Sequence, residues 1–303
     1  MLFLFSFPYF EKNSRNSGLS QRAPDLRGIF SELAGVARSL GCLSPTMRSP
    51  AFHTAPDAVS VVMGASRGLG LAFTSALLTR SPGSIVACSR RGSEELRALQ
   101  AASGGRLTTV QCDVTDAASL SRMAAHVQDM HGPKNVDLLL NVAGILHEKA
   151  EGGDRMPERA LRDVDPDWMQ RVLAVNAMGP VLTTQALHRQ FRKGAVIGSL
   201  SARVGSIGDN KLGGWWSYRM SKAALNMGVR NMALELRRHE VYAVALHPGT
   251  TATDLSKPFQ KNVKPGKLFT VEHTANSLLD VCTNLKPEDT GGFFAYDGSS
   301  IEW

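Results

Sequence analysis

Five residues, Val59-Ser60-Val61-Val62-Met63, run straight into Gly64-Ala65-Ser66-Arg67-Gly68-Leu69-Gly70, and a helical pattern from Leu69 to Arg80 follows. This order of apolar strand, glycine loop and helix restricts the fold more than any other feature of the chain. The glycines permit a tight turn and let backbone N–H groups approach a ligand closely. The helix that opens on the last glycine turns its unpaired N–H groups and its positive dipole end towards the same point. An anionic diphosphate fits that arrangement. A lone glycine pattern also makes ordinary turns, so its place between a strand and a helix is what gives it meaning. The loop therefore predicts a dinucleotide site that uses Gly64, Ser66, Arg67, Gly68, Leu69 and Gly70.

The same alternation continues downstream. Further strands are predicted at Ser84–Cys88, Leu107–Cys112, Val136–Leu140, from Ala195, at Val241–Leu246 and at Phe293–Tyr296. Helices are predicted at Glu94–Ala102, Asp116–Met130, about Asp167–Gln190, Ser217–Arg238 and about Val271–Asn284. Strands that are apolar on both faces and alternate with helices indicate a parallel sheet covered on both sides. The expected fold is α/β, a doubly wound, seven-stranded Rossmann-type sheet formed by one domain spanning residues 57–303. The stretch His147 to Asp165 interrupts this pattern, with ten charged residues among nineteen, and reads as a solvated surface insertion.

Residues 1–56 differ in composition, with six basic residues, eight serines and only three acids. Such a segment suggests an organelle transit peptide, mitochondrial or plastid, and Leu26 to Leu40 can be drawn as an amphipathic helix. The alternatives are a disordered extension, or an upstream start with the true beginning near Met47 and a cytoplasmic location. The expectation is that a chain lacking residues 1–56 stays soluble and active. Composition also bears on function. The 303 residues are 43% hydrophobic and 20% charged, enough for a core, and the net charge of +7 is dispersed rather than clustered. No basic run suggests nucleic-acid binding, no apolar run approaches the ~20 residues of a membrane span, and four scattered cysteines without a C-x-x-C pair suggest neither disulfides nor zinc.

Charge also predicts which dinucleotide binds. An NAD site usually places an acid about 20 residues beyond the loop, on the ribose hydroxyl. Here that position holds Arg90, between Ser89 and Arg91. A guanidinium fork matches phosphate oxygens, so the sequence predicts NADP(H), with Arg67 as a second phosphate ligand. Asp113, followed by Val114 after the third strand, is placed to accept a hydrogen bond from the adenine amino group.

Several motifs in the same order resemble the short-chain dehydrogenase/reductase family, from about Val59 to Gly298. Gly64, Gly68 and Gly70 match its G-x-x-x-G-x-G. Asn141-Val142-Ala143-Gly144 matches N-x-A-G, and Asn176 in Val175-Asn176-Ala177 matches its active-site asparagine. Tyr218-Arg219-Met220-Ser221-Lys222 matches Y-x-x-x-K, and Pro248-Gly249 with Thr253 matches P-G-x-x-x-T. Gly205 to Asn210 and the ending Asp297-Gly298 look closest to the C-factor/sniffer-like carbonyl reductases. The resemblance implies an oxidoreductase that passes a hydride between NADP(H) and a carbonyl or secondary alcohol, and a homodimer or homotetramer.

It also implies residue roles. Tyr218 would be the general acid and base. Lys222, one helical turn away, would lower the phenol pKa and hold the nicotinamide ribose. Asn176 would position a water, and Asn141, Ala143, Gly144, Pro248, Gly249, Thr251 and Thr253 would line the cofactor site. Two positions depart from the pattern. Met63 replaces a threonine, and counting back from Gly205 puts Ala202 where the family has its catalytic serine, leaving Ser201 one residue early. A bulge or an altered loop would return Ser201 to the site; Ser199 is a poorer candidate, and Ser201 is the expected donor to the substrate carbonyl. Trp215 and Trp216 are candidate pocket residues, and Asp254 to Leu268 is a candidate lid. The alternative function is a non-catalytic dinucleotide-binding sensor or interaction module.

Overall fold

The computed structural model describes residues 47–149 and 154–303. The transit-peptide reading and the Leu26–Leu40 helix lie outside the described residues. Seven parallel strands form the central sheet. These are β1 (Val59–Met63), β2 (Ser84–Ser89), β3 (Leu107–Gln111), β4 (Val136–Asn141), β5 (Phe191–Leu200), β6 (Tyr242–His247) and β9 (Phe293–Ala295), in spatial order β3-β2-β1-β4-β5-β6-β9. β7 (Thr250–Thr251) and β8 (Leu268–Phe269) make a separate two-stranded ribbon. The helices are α1 (Gly68–Arg80), α2 (Glu94–Ala102), α3 (Ala117–His131), α4 (Pro166–Leu173), α5 (Gly179–Leu187), α6 (Trp216–Leu236) and α7 (Val271–Thr283).

Period-2 alternation divides the sheet between two cores. Val59, Val61 and Met63 pack with Met123 of α3 and Leu225 of α6, whereas Val62 faces the other way, towards Phe73 and Leu77 of α1 and Leu278 of α7. The strand order reverses between β1 and β4, and open α/β sheets bind ligands at the carboxyl ends beside such a reversal. Register brings those ends level. Met63 pairs with Asn141, Asn141 with Ser199, and Leu200 with Leu246.

The helix expected over about 167–190 is divided. A π-helical turn, Ala174–Met178, separates α4 from α5. Pro180 has no N–H with which to continue the ladder, and Gly179 instead donates to Ala174 five residues back. Gly179 also sits where a β-carbon would lie 2.9 Å from Val114, so the widened turn presses against the end of β3.

The folded unit begins before residue 57, which corrects the expected leader boundary. Met47 is buried, Phe52 is only 2% exposed in the α1/α7 core, and the Ser81 hydroxyl donates to the Phe52 carbonyl at 2.7 Å. Phe52→Ala should cost ~3–5 kcal/mol, the usual range for emptying a buried phenylalanine site. By urea denaturation, a chain starting at Met47 should match the full chain, and one starting at Asp57 should fall with the Phe52→Ala variant.

Candidate active site

The glycine loop leaves β1 and is pinned to β2, where Gly64 and Ala65 both donate to the Cys88 carbonyl, at 2.8 and 2.9 Å. Gly64 has φ +91°, and a β-carbon there would lie 2.8 Å from the Ala143 nitrogen. At Gly70 a β-carbon would lie 2.0 Å from the Gly64 carbonyl oxygen. Both positions therefore require glycine, and they fold the loop back on itself. No side chain caps the start of α1 and no acid lies in its first turn, so its N–H groups and positive end remain available to an anion. Ser66, Arg67, Gly68 and Leu69 line one side of a cleft of about 2220 Å3. This donor set, closed to any side chain by the glycines, fits a diphosphate.

Arg90 and Asp113 line the same cleft. The chain around Arg90 is fixed by the Ser89 hydroxyl, which donates to the Arg91 carbonyl at 3.0 Å, and by Gln111, which donates to the Arg90 carbonyl at 3.3 Å. Asp113 accepts from the Thr115 N–H and hydroxyl at 2.9 and 2.7 Å. Burial would raise its carboxyl pKa, but these two bonds with Arg90 and Arg171 nearby outweigh burial and hold it below the usual carboxylate range. Arg67 pairs with Asp254, another residue lining the cleft, at 3.1 Å. Both side chains are largely exposed, and such pairs are worth ~0–1 kcal/mol, so this one yields readily to a phosphate.

On the same cleft, Tyr218 stands in the first turn of α6, with Lys222 one turn later. They are 9% and 4% exposed. The Lys222 ammonium donates to the Leu200 carbonyl at the end of β5 at 2.6 Å, and it lies 5.6 Å from the Tyr218 ring centre. Burial lowers the Lys222 pKa to about 7. Burial also raises the Tyr218 phenol, against the expectation of a phenol made acidic by its neighbour. Loss of water disfavours both charged forms here, and the ammonium is directed to a carbonyl rather than to the phenol oxygen.

Three other expected residues are engaged differently from the sequence reading. Asn176, in the π turn, brackets Ile145: its side-chain oxygen accepts from the Ile145 N–H and its amide donates to the Ile145 carbonyl, both at 2.8 Å. It also donates to the Ser221 hydroxyl at 3.1 Å. Asn141 is buried and donates to the Ser199 hydroxyl at 3.2 Å, joining β4 to β5 outside the residues that line the cleft. Ser201 borders the cleft but is only 3% exposed, and its hydroxyl donates to the Asn226 side-chain oxygen at 2.6 Å. A hydroxyl has one proton to donate, so this bond corrects the assignment of Ser201 as carbonyl donor. No bulge returns it to that role, because the extended backbone carries Ala202 one step further along.

Val114, Ala143, Gly144, Pro248, Gly249, Thr251 and Thr253 also border the cleft. Thr251 does so with a buried hydroxyl that contacts Thr274 at 2.9 Å. Trp215 lies 4.8 Å, ring to ring, from Phe259 of the lid segment and 6.2 Å from Tyr218. Trp216 does not line the cleft and is partly exposed. Asn226 and Phe259 escaped the sequence reading, since neither stands in a motif. Glu158 escaped it as well, hidden within a charged run, yet it is only 4% exposed.

Known proteins resemble this chain over the same region. The family model described as short chain dehydrogenase matches residues 58–264. The chain belongs to the short-chain dehydrogenase family. A 1-hydroxy-2-glutathionyl-2-methyl-3-butene dehydrogenase of Rhodococcus is 34% identical over 245 residues, which cover 80% of this chain and 98% of that protein. C-signal of Myxococcus xanthus is 37% identical over 170 residues, 55% of this chain and 93% of its own length. The NADPH-bound carbonyl reductase from chicken fatty liver superposes with a TM-score of 0.71 at 31% identity, covering 82% of this chain and 99% of that one. These relatives agree with the C-factor/sniffer-like subgroup and make the chain an oxidoreductase of this family.

The buried amine gives a pH signature. The Lys222 pKa in the fold, about 7, lies below its ordinary value of 10.5. Between those values the unfolded chain holds more protons, so this residue's contribution to stability rises with pH across that window. The melting temperature of wild type minus that of Lys222→Met should therefore rise from pH 7 to pH 9 in the cofactor-free protein. A pH-independent difference would show that the amine is not shifted.

Proposed function

We propose that this short-chain dehydrogenase is an NADP(H)-dependent carbonyl reductase with Tyr218 as its general acid and base. One observation carries the reading. Tyr218 and Lys222 are buried together on the wall of the same cleft that the glycine loop lines. Support for NADP(H) comes from Arg90 and Arg67 on the cleft, with Ser89-Arg90-Arg91 and no acid at the end of β2, and from the NADPH and NADP bound in the chicken and Burkholderia multivorans structures, the latter 27% identical.

When bound, NADPH supplies the hydride. The glycine loop and the start of α1 would hold its diphosphate, Arg90 and Arg67 its 2′-phosphate, and Lys222 the ribose nearest the reacting ring. Burial keeps the Tyr218 phenol protonated, which suits reduction: its proton passes to the carbonyl oxygen as the alcohol forms. In the reverse direction the phenolate, its charge stabilised by the Lys222 ammonium, takes the alcohol proton and becomes neutral. The Ser201 hydroxyl is committed to Asn226, so the phenol acts here without a serine donor. Trp215 and Phe259 give the substrate end an aromatic wall.

Assembly is proposed through α5 and α6. Met220, Met227 and Leu234 fall seven apart along α6 and are 46%, 63% and 63% exposed, and the exposed Val181 of α5 lies against Gly228 of the same helix. Exposed apolar side chains at this spacing are suited to covering by a second copy of the chain. Met227→Lys should shift the protein towards a monomer in sedimentation.

Two kinetic outcomes test the main reading. Tyr218→Phe should lower NADPH-dependent reduction of aldehydes and ketones by ~10²–10⁴, the usual worth of a general acid, and leave NADPH affinity nearly intact. Arg90→Ala should raise the NADPH dissociation constant by ~10–100-fold, equivalent to a charged hydrogen bond of ~1.5–3 kcal/mol, with little change for NADH. Equal losses for both cofactors would remove the phosphate argument, and unaltered turnover in Tyr218→Phe would remove the catalytic one.

A further inference from the structure

The helix that carries Tyr218 lacks a cap of its own. The residue before its first turn, Trp215, adopts a left-handed conformation with φ +51° and makes no side-chain capping bond. Glu158, from the charged segment 58 positions before Trp216, does the capping instead. One carboxylate oxygen of Glu158 accepts from the Ser217 N–H at 3.2 Å, and the other accepts from the Ser217 hydroxyl in a very short bond. The Glu158 backbone takes part as well, its carbonyl accepting from the Trp215 N–H at 2.6 Å. Gly214 lies under the same strap, where a β-carbon would come within 3.7 Å of the Glu158 carbonyl.

The burial of this acid needs a reason. Glu158 is 4% exposed and Ser217 is fully buried, and no arginine or lysine among the described residues forms a salt bridge with Glu158. A lone buried carboxylate is costly unless hydrogen bonds satisfy it. All of its recorded partners belong to Ser217, the residue immediately before the phenol. Two other acids of the segment are used elsewhere: Glu148 pairs with Arg171, and Asp165 pairs with Arg155 and caps α4.

We infer that Glu158 is a positioning residue for the reaction, a clasp that fixes the first turn of α6 and with it the direction of the Tyr218 hydroxyl. It touches neither cofactor nor substrate in this role. Resting on the carbonyl reductase reading, the inference assigns a function to the charged segment, which otherwise resembles a solvated insertion. The clasp depends on hydrogen bonds rather than on charge. A glutamine fits the same place, since its side-chain oxygen can accept from the Ser217 N–H while its amide donates to the Ser217 hydroxyl oxygen.

The test compares Glu158→Gln, Glu158→Ala and Ser217→Ala with wild type. In Glu158→Ala, kcat for carbonyl reduction should fall about tenfold or more, while the NADPH dissociation constant, read by fluorescence, stays within twofold. Glu158→Gln should restore kcat to within about threefold of wild type. Ser217→Ala should lower kcat in the same direction, and adding it to Glu158→Ala should cost little more, because both changes open one clasp. Hydrogen exchange provides a readout without activity: peptides covering Ser217 to Lys222 should exchange at least tenfold faster in Glu158→Ala, and those of the glycine loop should be unchanged. An unchanged kcat and unchanged exchange in Glu158→Ala would overturn the inference. So would a parallel loss of kcat, cofactor affinity and melting temperature that glutamine does not rescue. Should wild type itself reduce no carbonyl, the catalytic reading fails, and the exchange measurement still decides whether the clasp exists. If Glu158→Ala does not fold, Ser217→Ala and Glu158→Gln carry the comparison.

Discussion

The Lys222 ammonium rests on the Leu200 carbonyl at 2.6 Å, and this contact fastens α6 to the end of the sheet. Leu200 closes β5, one strand away from the reversal in strand order, so the bond fixes α6 relative to the point where the cleft opens. The surrounding packing serves the same geometry. A β-carbon on Gly205 would lie 2.6 Å from the Lys222 β-carbon, so the loop after β5 lies directly on the helix. Ser201 and Asn226 tie the same loop and helix together a further turn along. These contacts exclude water, and that exclusion, more than any neighbouring charge, governs how Tyr218 and Lys222 titrate.

Burial has a chemical consequence. Burial keeps the phenol in its protonated form while making it a weaker acid, and an amine with a pKa near neutrality can change charge at little cost. The proposed reduction would therefore begin from the protonation state that the fold itself favours. The reverse reaction needs positive charge close to the phenol, which the protein alone supplies only weakly.

Much of this was legible in the sequence, because the signals were local. The run Val59 to Gly70 specified a strand, a glycine turn and a helix, and alternating faces along each strand specified a covered parallel sheet. Tyr218 and Lys222 were legible because spacing on one helix fixes their proximity. Partners across the fold were not. Ser201 and Asn226 are 25 residues apart, and Glu158 and Ser217 are 59 apart, so no periodicity connects them. Glu158 was masked by its charged neighbours, since composition averages a segment and misses the one side chain that turns inward. The π turn at Ala174–Met178 was also missed, although Pro180 marked the place where a regular helix must fail. Phe52 lay beyond the assumed boundary because a change in composition locates a leader less sharply than a buried ring does.

The central claim is that one buried phenol faces the place where a carbonyl meets the hydride donor. A crystal structure of the protein with NADP+ and a bound alcohol tests it directly. The account predicts the Tyr218 hydroxyl within hydrogen-bonding distance of the alcohol oxygen, and Lys222 on the ribose beside the nicotinamide. A phenol turned away from the ring, with the alcohol oxygen held by another side chain, would contradict it.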